Sequence, residues 1–157
     1  MKYPRIWIAA HGGPRMVAGA TETPPGILAV LANDDDWRVQ VKVAGNPNTP
    51  SKVLEQLSLL DDEDVQKEVA SHQNTPAEVL RQLAQNIDYL VRSATAENPN
   101  TPVDVLELLA EDAEWGSRWG VAVNPKTPVE LLARLAQNDE EANVRNAARK
   151  SMKERQA

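Results

Sequence analysis

The sequence predicts an all-α solenoid built from five helix pairs. Thr-Pro occurs at residues 23, 49, 75, 101 and 127, a spacing of 26 residues without a slip. Leucine and valine recur at helical spacing after each Thr-Pro, and an acidic turn with a second apolar stripe completes each repeat. A fixed period of this length is typical of repeat arrays, in which each repeat buries its apolar face against its neighbours.

The first helix of each repeat is predicted to be capped by Thr-Pro. A threonine hydroxyl can accept a hydrogen bond from a free amide of the first turn, and proline fits the first helical position. Glu78, Asp104 and Glu130 then place negative charge at the positive end of the helix dipole, and the two glutamates fit a capping box. The next apolar residues face one side of a helix of about three turns: Ile27, Leu28 and Leu31; Val53, Leu54 and Leu57; Val79, Leu80 and Leu83; Val105, Leu106 and Leu109; Leu131, Leu132 and Leu135.

The second helix is predicted to begin in an acidic turn and to end at Asn-Pro. Runs such as Asp34-Asp35-Asp36 are typical of turns and of helix N-termini. Valines four apart, such as Val39 and Val43, define one buried stripe, and the proline of Asn46-Pro47 ends the helix. His72 stands in the column that holds Asn46, Asn98 and Asn124 in the other repeats, which predicts a loop-capping role in bonds to neighbouring backbone.

Both ends of the array are predicted to be irregular. Val17-Ala18-Gly19 matches Val43-Ala44-Gly45 in position, so residues 1–22 are predicted to form an N-terminal cap with a decayed half repeat. The five-repeat solenoid covers 23–148, and 149–157 form the basic end of a C-terminal helix. One elongated domain is expected because no Gly/Ser linker divides the chain. No signal peptide fits the interrupted N-terminus, and no apolar run approaches the roughly 18 residues of a membrane span.

The repeated phrase resembles the leucine-rich repeat variant family of bacterial proteins. The resemblance lies in Asn-Pro-Asn-Thr-Pro, then Val-Leu-x-x-Leu-Ala, then Val-Arg-x-x-x-Ala, and it covers residues 17 to about 148. It implies a right-handed superhelix of paired short helices, an α–α superhelix of the kind that HEAT and armadillo repeats form. Some relatives carry a cysteine-ligated iron–sulfur cluster, which this chain cannot hold because it has no cysteine.

Composition argues against catalysis and cofactors. The absence of cysteine removes disulfides, thiolate chemistry and cysteine-based zinc sites, and with the missing membrane span it favours a cytoplasmic protein. No acidic run satisfies the Gly and Glu positions of a calcium-binding EF-hand loop. His11 precedes Gly12-Gly13, but the chain lacks the Gly-x-Ser-x-Gly motif that would make this an oxyanion loop. We therefore expect no catalytic residue, no metal and no cofactor.

Charge is distributed unevenly. Residues 23–141 hold 21 acidic and 9 basic residues, whereas 142–157 hold 5 basic and 1 acidic. A phosphate-binding solenoid should present a basic stripe, and the acidic body has none. Nucleic-acid binding led by Arg92, Arg118 and the basic C-terminus is therefore kept only as the alternative function.

A candidate interaction face follows from helical geometry. With Val39, Val65 and Val91 set inward, a rotation of 100° per residue turns outward Leu90, Ser93 and Glu97 in one repeat and Gly116, Trp119 and Val123 in the next. On its flank lies a column of Gln40, Gln66, Arg92 and Arg118, and Arg145 is the candidate to continue it. Because Trp and Arg are enriched in binding hot spots, the predicted partner-binding residues are Leu90, Arg92, Arg118, Trp119 and Val123.

Two further features concern the same region. Gly116 and Gly120 flank Trp119 inside a helix, which indicates close backbone approach or a local bend. Trp37, Tyr89 and Trp115 share a column at the corner between helices and are predicted to be corner packing. The leading functional hypothesis is a non-catalytic scaffold, a monomer or weak homo-oligomer, that binds another protein or itself through this face.

Overall fold

The computed structural model of the protein describes residues 8–156, which form two compact units. Unit one ends at Pro76 and unit two begins at Ala77. The helices of unit one are α1 (Pro14–Gly19), α2 (Pro25–Leu31), α3 (Trp37–Ala44), α4 (Ser51–Leu57) and α5 (Glu63–Ser71). Those of unit two are α6 (Ala77–Leu83), α7 (Tyr89–Glu97), α8 (Val103–Leu109), α9 (Trp115–Val123), α10 (Val129–Asn138) and α11 (Ala142–Glu154). No strand occurs in residues 8–156, so the predicted all-α class of helix-pair repeats is confirmed.

The first helices are shorter than predicted. α2, α4, α6 and α8 each have 7 residues, about two turns rather than three, and only α10 reaches 10. After Leu31 the chain tightens, because the amides of Asn33 and Asp34 bond to the carbonyls of Val30 and Leu31, three residues back. The second helices are full α-helices of 8 to 13 residues.

The predicted core positions of the first helices are buried, except for Ile27, which is partly exposed. In unit two, Leu80, Leu106 and Leu132 of the first helices are fully buried, as are Val91 and Val121 of the second helices. In unit one, Leu28 and Leu54 are likewise fully buried. Each helix pair therefore buries one stripe from each helix, as the recurring apolar spacing required.

The threonine of Thr-Pro is not the helix N-cap. Proline stands at the N-cap position of α4, α8 and α10, and these helices have no side-chain cap bond. The threonine lies one residue earlier and is buried, and its hydroxyl donates to a carbonyl six residues back, near the end of the preceding second helix. Thr127, for example, donates to Val121 at 2.6 Å. The predicted cap, and the capping box with Glu130, are wrong because the extended ψ of proline turns the threonine side chain away from the helix it precedes.

The asparagine column closes the turn after each second helix, as predicted. The side-chain amide of Asn124 donates to the carbonyls of Ala96 and Asn98 at 2.6 and 2.8 Å, and its oxygen accepts from the amide of Lys126. His72 does the same work in unit one. Its Nδ1 accepts from the amide of Asn74 at 3.0 Å, so Nε2 carries the proton that reaches the carbonyl of Asn46 at 2.8 Å.

The acidic turns start the second helices. The side chains of Asp36, Asp62 and Asp88 cap α3, α5 and α7 by accepting from the amides of Arg38, Val65 and Leu90. This confirms the prediction that the acids serve as turn residues and N-terminal charges.

The two ends of the array resemble partial repeats. Val17 and Ala18 of α1 are buried, and the side-chain amide of Asn46 donates to the carbonyls of Ala18 and Ala20. At the other end, Arg155 follows α11 and donates to the carbonyls of Thr127 and Asn124. Residues 1–7 of the predicted N-terminal cap, and residue 157, lie outside the described residues.

Candidate functional site

A groove of about 840 Å³ crosses the three second helices of unit two, α7, α9 and α11. Its lining includes every residue that the helical rotation turned outward on the first two of these helices: Leu90, Ser93, Glu97, Gly116, Trp119 and Val123. The third helix adds Asn143, Asn146, Ala147, Lys150, Ser151 and Glu154. The predicted face is therefore one continuous concave surface of unit two.

Large apolar side chains are exposed in this groove. Leu90 is 45% exposed, Tyr89 46% and Trp115 48%. Val123 is also exposed, and Trp119 is half-buried against the apolar core of unit two. Isolated apolar residues on a surface need no explanation, but several in one concavity mark an interaction site.

Two glycines bring α9 close to α7 beneath the groove. A Cβ added to Gly120 would lie 2.7 Å from the Cβ of Ala96 and 3.1 Å from the carbonyl oxygen of Ser93. At Gly116 the nearest atom would be the Ser93 hydroxyl, at 3.0 Å. This confirms the predicted close backbone approach, and it leaves the Trp119 ring in the groove between neighbouring helices.

Arg118 does not line the groove. Its side chain is 8% exposed, and its guanidinium forms a bidentate ion pair, here called a fork, with Asp139. Nε and Nη2 lie 2.8 and 3.1 Å from the two carboxylate oxygens. The remaining donors reach Glu140 and the carbonyls of Asp112 and Ala113. The hydrogen bond to Asp139 raises the pKa of Arg118. Arg118 therefore closes the turn between two helices. The sequence predicted that Arg118 would lie on the flank of the interaction face beside Trp119, whereas in the structure its guanidinium is held by the turn residues.

Arg92 has the same arrangement one repeat earlier. It forks onto Asp112 at 2.6 and 3.0 Å and donates to the carbonyls of Asn86 and Ile87. The hydrogen bond to Asp112 raises the pKa of Arg92. Gln40 and Gln66 bond to equivalent turn carbonyls in unit one, and Arg145 does so after α10. The whole column is a turn-closing device, which sequence reasoning missed because its carboxylate partners lie about 20 residues away in sequence.

The pKa values of the two aspartates that pair with these arginines are lowered. Burial alone raises the pKa of Asp139, but the bond from Arg118, the Glu141 amide and the charge of Arg118 outweigh it and hold that pKa below its usual value. The same balance, with Arg92 and the Glu114 amide, lowers the pKa of Asp112. Both carboxylates are therefore charged at neutral pH and neutralise their arginines.

Glu97 has the opposite environment. It ends α7 at the rim of the groove, and its Cγ lies 3.2 Å from the position that a Cβ on Gly120 would take. Burial of its carboxyl raises the pKa of Glu97. Glu97 is exposed as a residue, and it lines the groove beside apolar side chains.

Sequence reasoning missed Tyr89, Trp115 and the α11 side of the groove. Trp37, Tyr89 and Trp115 are each close to half exposed, so none of them lies in the core, and Tyr89 and Trp115 line the groove. The signal for Tyr89 and Trp115 was present, since each lies three or four residues before an outward residue of its own helix. The fifth repeat runs one residue late, which hid the α11 face.

Within residues 8–156, no group of three or more His, Cys, Asp or Glu side chains is placed to hold a metal ion. No helix in the same range combines the length and the apolar character that crossing a bilayer requires.

Comparisons with known proteins agree with the repeat pattern. Residues 89–114, from the start of α7 to the turn before α9, match the family model described as leucine rich repeat variant. A solved structure described as a leucine-rich repeat variant with a novel repetitive protein structural motif is 23% identical and has a TM-score of 0.43. That match covers 88% of this chain and 64% of the other, so this chain spans less than two thirds of that protein's length. Comparison with curated proteins found no match.

Proposed function

Because this chain carries repeats of the leucine-rich repeat variant family, we propose that it is a non-catalytic scaffold whose groove across α7, α9 and α11 binds a segment of a partner protein. The observation that carries the proposal is the set of exposed aromatic and aliphatic side chains in one concavity. Tyr89, Leu90 and Trp115 are each nearly half exposed there. Repeat proteins bind partners through such continuous surfaces, and Trp and Tyr are enriched in binding hot spots.

The equivalent face of unit one supplies a contrast. Helical rotation turns outward Arg38, Val41 and Gly45 on α3, and Asp64, Lys67 and Ser71 on α5. Trp37 at the start of α3 shares the column of Tyr89 and Trp115, but none of these six outward positions holds an aromatic side chain. The difference favours unit two as the binding unit, and it provides control positions of the same secondary structure.

Nucleic-acid binding receives little support. Arg92 and Arg118 are neutralised by buried carboxylates, and Arg155 donates to backbone carbonyls. A phosphate would have to displace these partners, and the acidic body would repel it.

A catalytic role is not favoured either, because both ring nitrogens of His72 are engaged with the backbone. Together with the absence of cysteine, these features lead us to propose a cytoplasmic binding protein.

Affinity capture from lysate of the native cell tests the proposal when it is run with matched variants. Leu90→Ser alters an exposed groove side chain, and Lys67→Ser alters an exposed side chain on the corresponding face of unit one. We expect a partner that is retained by the wild type and by Lys67→Ser but depleted by Leu90→Ser. Circular dichroism should show both variants folded. Equal capture by all three proteins contradicts the groove assignment, and capture that is lost at high salt and by nuclease treatment favours nucleic acid instead.

A further inference from the structure

We propose that the segment bound in this groove carries a lysine or arginine beside an apolar anchor, and that the anchor packs on Leu90 and Trp119 while the cation binds Glu97. This inference deepens the proposed function and rests on it. Three features of unit two carry it: the position of Glu97, its lack of a cation, and the charge of its surroundings.

The position of Glu97 couples it to the apolar part of the groove. Leu90 and Glu97 are seven residues apart on one face of α7, or about 10 Å along its axis. Both line the same groove as Trp119. A short segment of one chain can therefore reach the apolar anchor site and the carboxylate together.

Glu97 has no cation of its own in the part of the chain that the structure describes. It forms no ion pair there, and burial is the cause of its raised pKa. Several other acids of unit two are paired with bases, as Asp112 is with Arg92, Asp139 with Arg118 and Glu111 with Arg134. A partly desolvated carboxylate without an ion-pair partner gains from an incoming cation, because part of its desolvation cost has already been met by folding.

The other charged side chains of the groove do not supply that cation. Lys150 and Glu154 of α11 face the groove with Glu97, and the Lys150 ammonium lies 3.8 Å from the Glu154 carboxylate. α9 contributes only uncharged side chains to the lining. The groove thus carries two acids and one base, in a chain of net charge −6. A basic segment is complementary to this surface.

Selection from random dodecapeptides displayed on phage provides the probe. The immobilised target is the whole chain, and enriched sequences are synthesised and titrated by isothermal calorimetry. We expect enriched peptides to combine a Lys or Arg with a large apolar residue. Glu97→Gln should weaken their binding about tenfold or more. Glu107→Gln, at an exposed position of α8 outside the groove, should leave binding unchanged.

A double-mutant cycle assigns the contact. Replacing the peptide's lysine by norleucine, or its arginine by citrulline, should weaken binding to the wild type but add no further loss in Glu97→Gln. Binding to the wild type should also weaken as the pH falls toward the raised pKa of Glu97, because the protonated acid no longer attracts a cation. That pH dependence should be reduced in Glu97→Gln.

The outcomes separate the inference from the proposed function. Peptides that lose binding in Leu90→Ser but need no basic residue and bind Glu97→Gln normally would leave the groove function intact and overturn the cation assignment. If no enriched peptide loses affinity in Leu90→Ser, the proposed function fails, and the inference with it. Groove-dependent self-association without peptide binding would assign the site to a second copy and overturn the inference as well.

Discussion

At the scale of single residues, the buried threonines join consecutive helices. Thr101 has no exposed surface, and its hydroxyl donates to the carbonyl of Thr95 near the end of α7. The same carbonyl also accepts from the amide of Asn98. The threonine is therefore a donor to the repeat before it, and it does not cap the helix after it.

Two substitutions of Thr101 distinguish a buried donor from an N-cap. Thr101→Val removes the hydroxyl and should lower the free energy of unfolding by about 1 kcal/mol, since the Thr95 carbonyl keeps one bond. Thr101→Asp should cost more than about 3 kcal/mol, because it places an unpaired carboxylate against a carbonyl in the core. Urea denaturation measures both. Aspartate is a better N-cap than threonine, so an aspartate variant as stable as the wild type would restore the capping interpretation.

The Arg118–Asp139 fork sets the response to acid. The pKa of Asp139 is lowered in the folded protein, while an unfolded aspartate titrates near 3.9. Between these values the unfolded chain binds more protons, so this stabilisation is present above about pH 4 and is lost as the pH falls through the lowered pKa.

Asp139→Asn tests that contribution. The substitution leaves a buried arginine without its counter-charge, and we expect a loss of about 3–5 kcal/mol at neutral pH. Unfolding free energies measured by denaturant from pH 7 to pH 3 should fall less steeply in the variant than in the wild type. Parallel curves for the two proteins would show that the fork contributes nothing to acid sensitivity.

At the scale of elements, α7 and α9 are held at a distance that only glycine allows. Gly120→Ala adds a methyl group that would lie 2.7 Å from Ala96 Cβ. We expect a loss of about 1–3 kcal/mol from overpacking, which exceeds the roughly 0.5–1 kcal/mol that alanine gains inside a helix.

Gly116→Ala is the matched control on the same helix. Its methyl would meet only the Ser93 hydroxyl, which can rotate away. This variant should be as stable as the wild type or slightly more so by thermal and chemical denaturation. Equal stability of the two alanine variants would show that the close approach at Gly120 is not constrained.

The elements show which features a sequence can specify. The 26-residue period predicted the helix pairs and their buried stripes, because the Thr-Pro spacing is constant and the same apolar pattern recurs at the same positions of each repeat. Rotation from Val91 predicted the face of Leu90 and Trp119 because α7 and α9 are regular helices. The position of Arg118 was not predictable in this way. Arg118 donates both to the carbonyls of the turn before its own helix and to Asp139 after the next helix, and the spacing of apolar residues does not specify how those turns close.

At the scale of the whole molecule, one fold carries two surfaces of different character. The repeats keep the same buried columns throughout, while the outward residues of the second helices are mostly polar in unit one and include more apolar and aromatic side chains in unit two. Since the outward positions contribute little to the core, they can differ between repeats without loss of the fold. Such freedom is what a binding scaffold requires, and it places the proposed specificity in unit two.

The NMR signals of the tryptophan indoles test most directly the claim that the groove of unit two is the binding site. Trp115 and Trp119 line the groove of unit two, whereas Trp37 begins α3 of unit one and its ring contacts the Arg38 guanidinium. Titration of ¹⁵N-labelled protein with a peptide from the phage selection reports each indole N–H separately. The account predicts that the Trp115 and Trp119 signals shift with saturation while the Trp37 signal stays fixed. A saturable shift of Trp37 with Trp115 and Trp119 unmoved would contradict it.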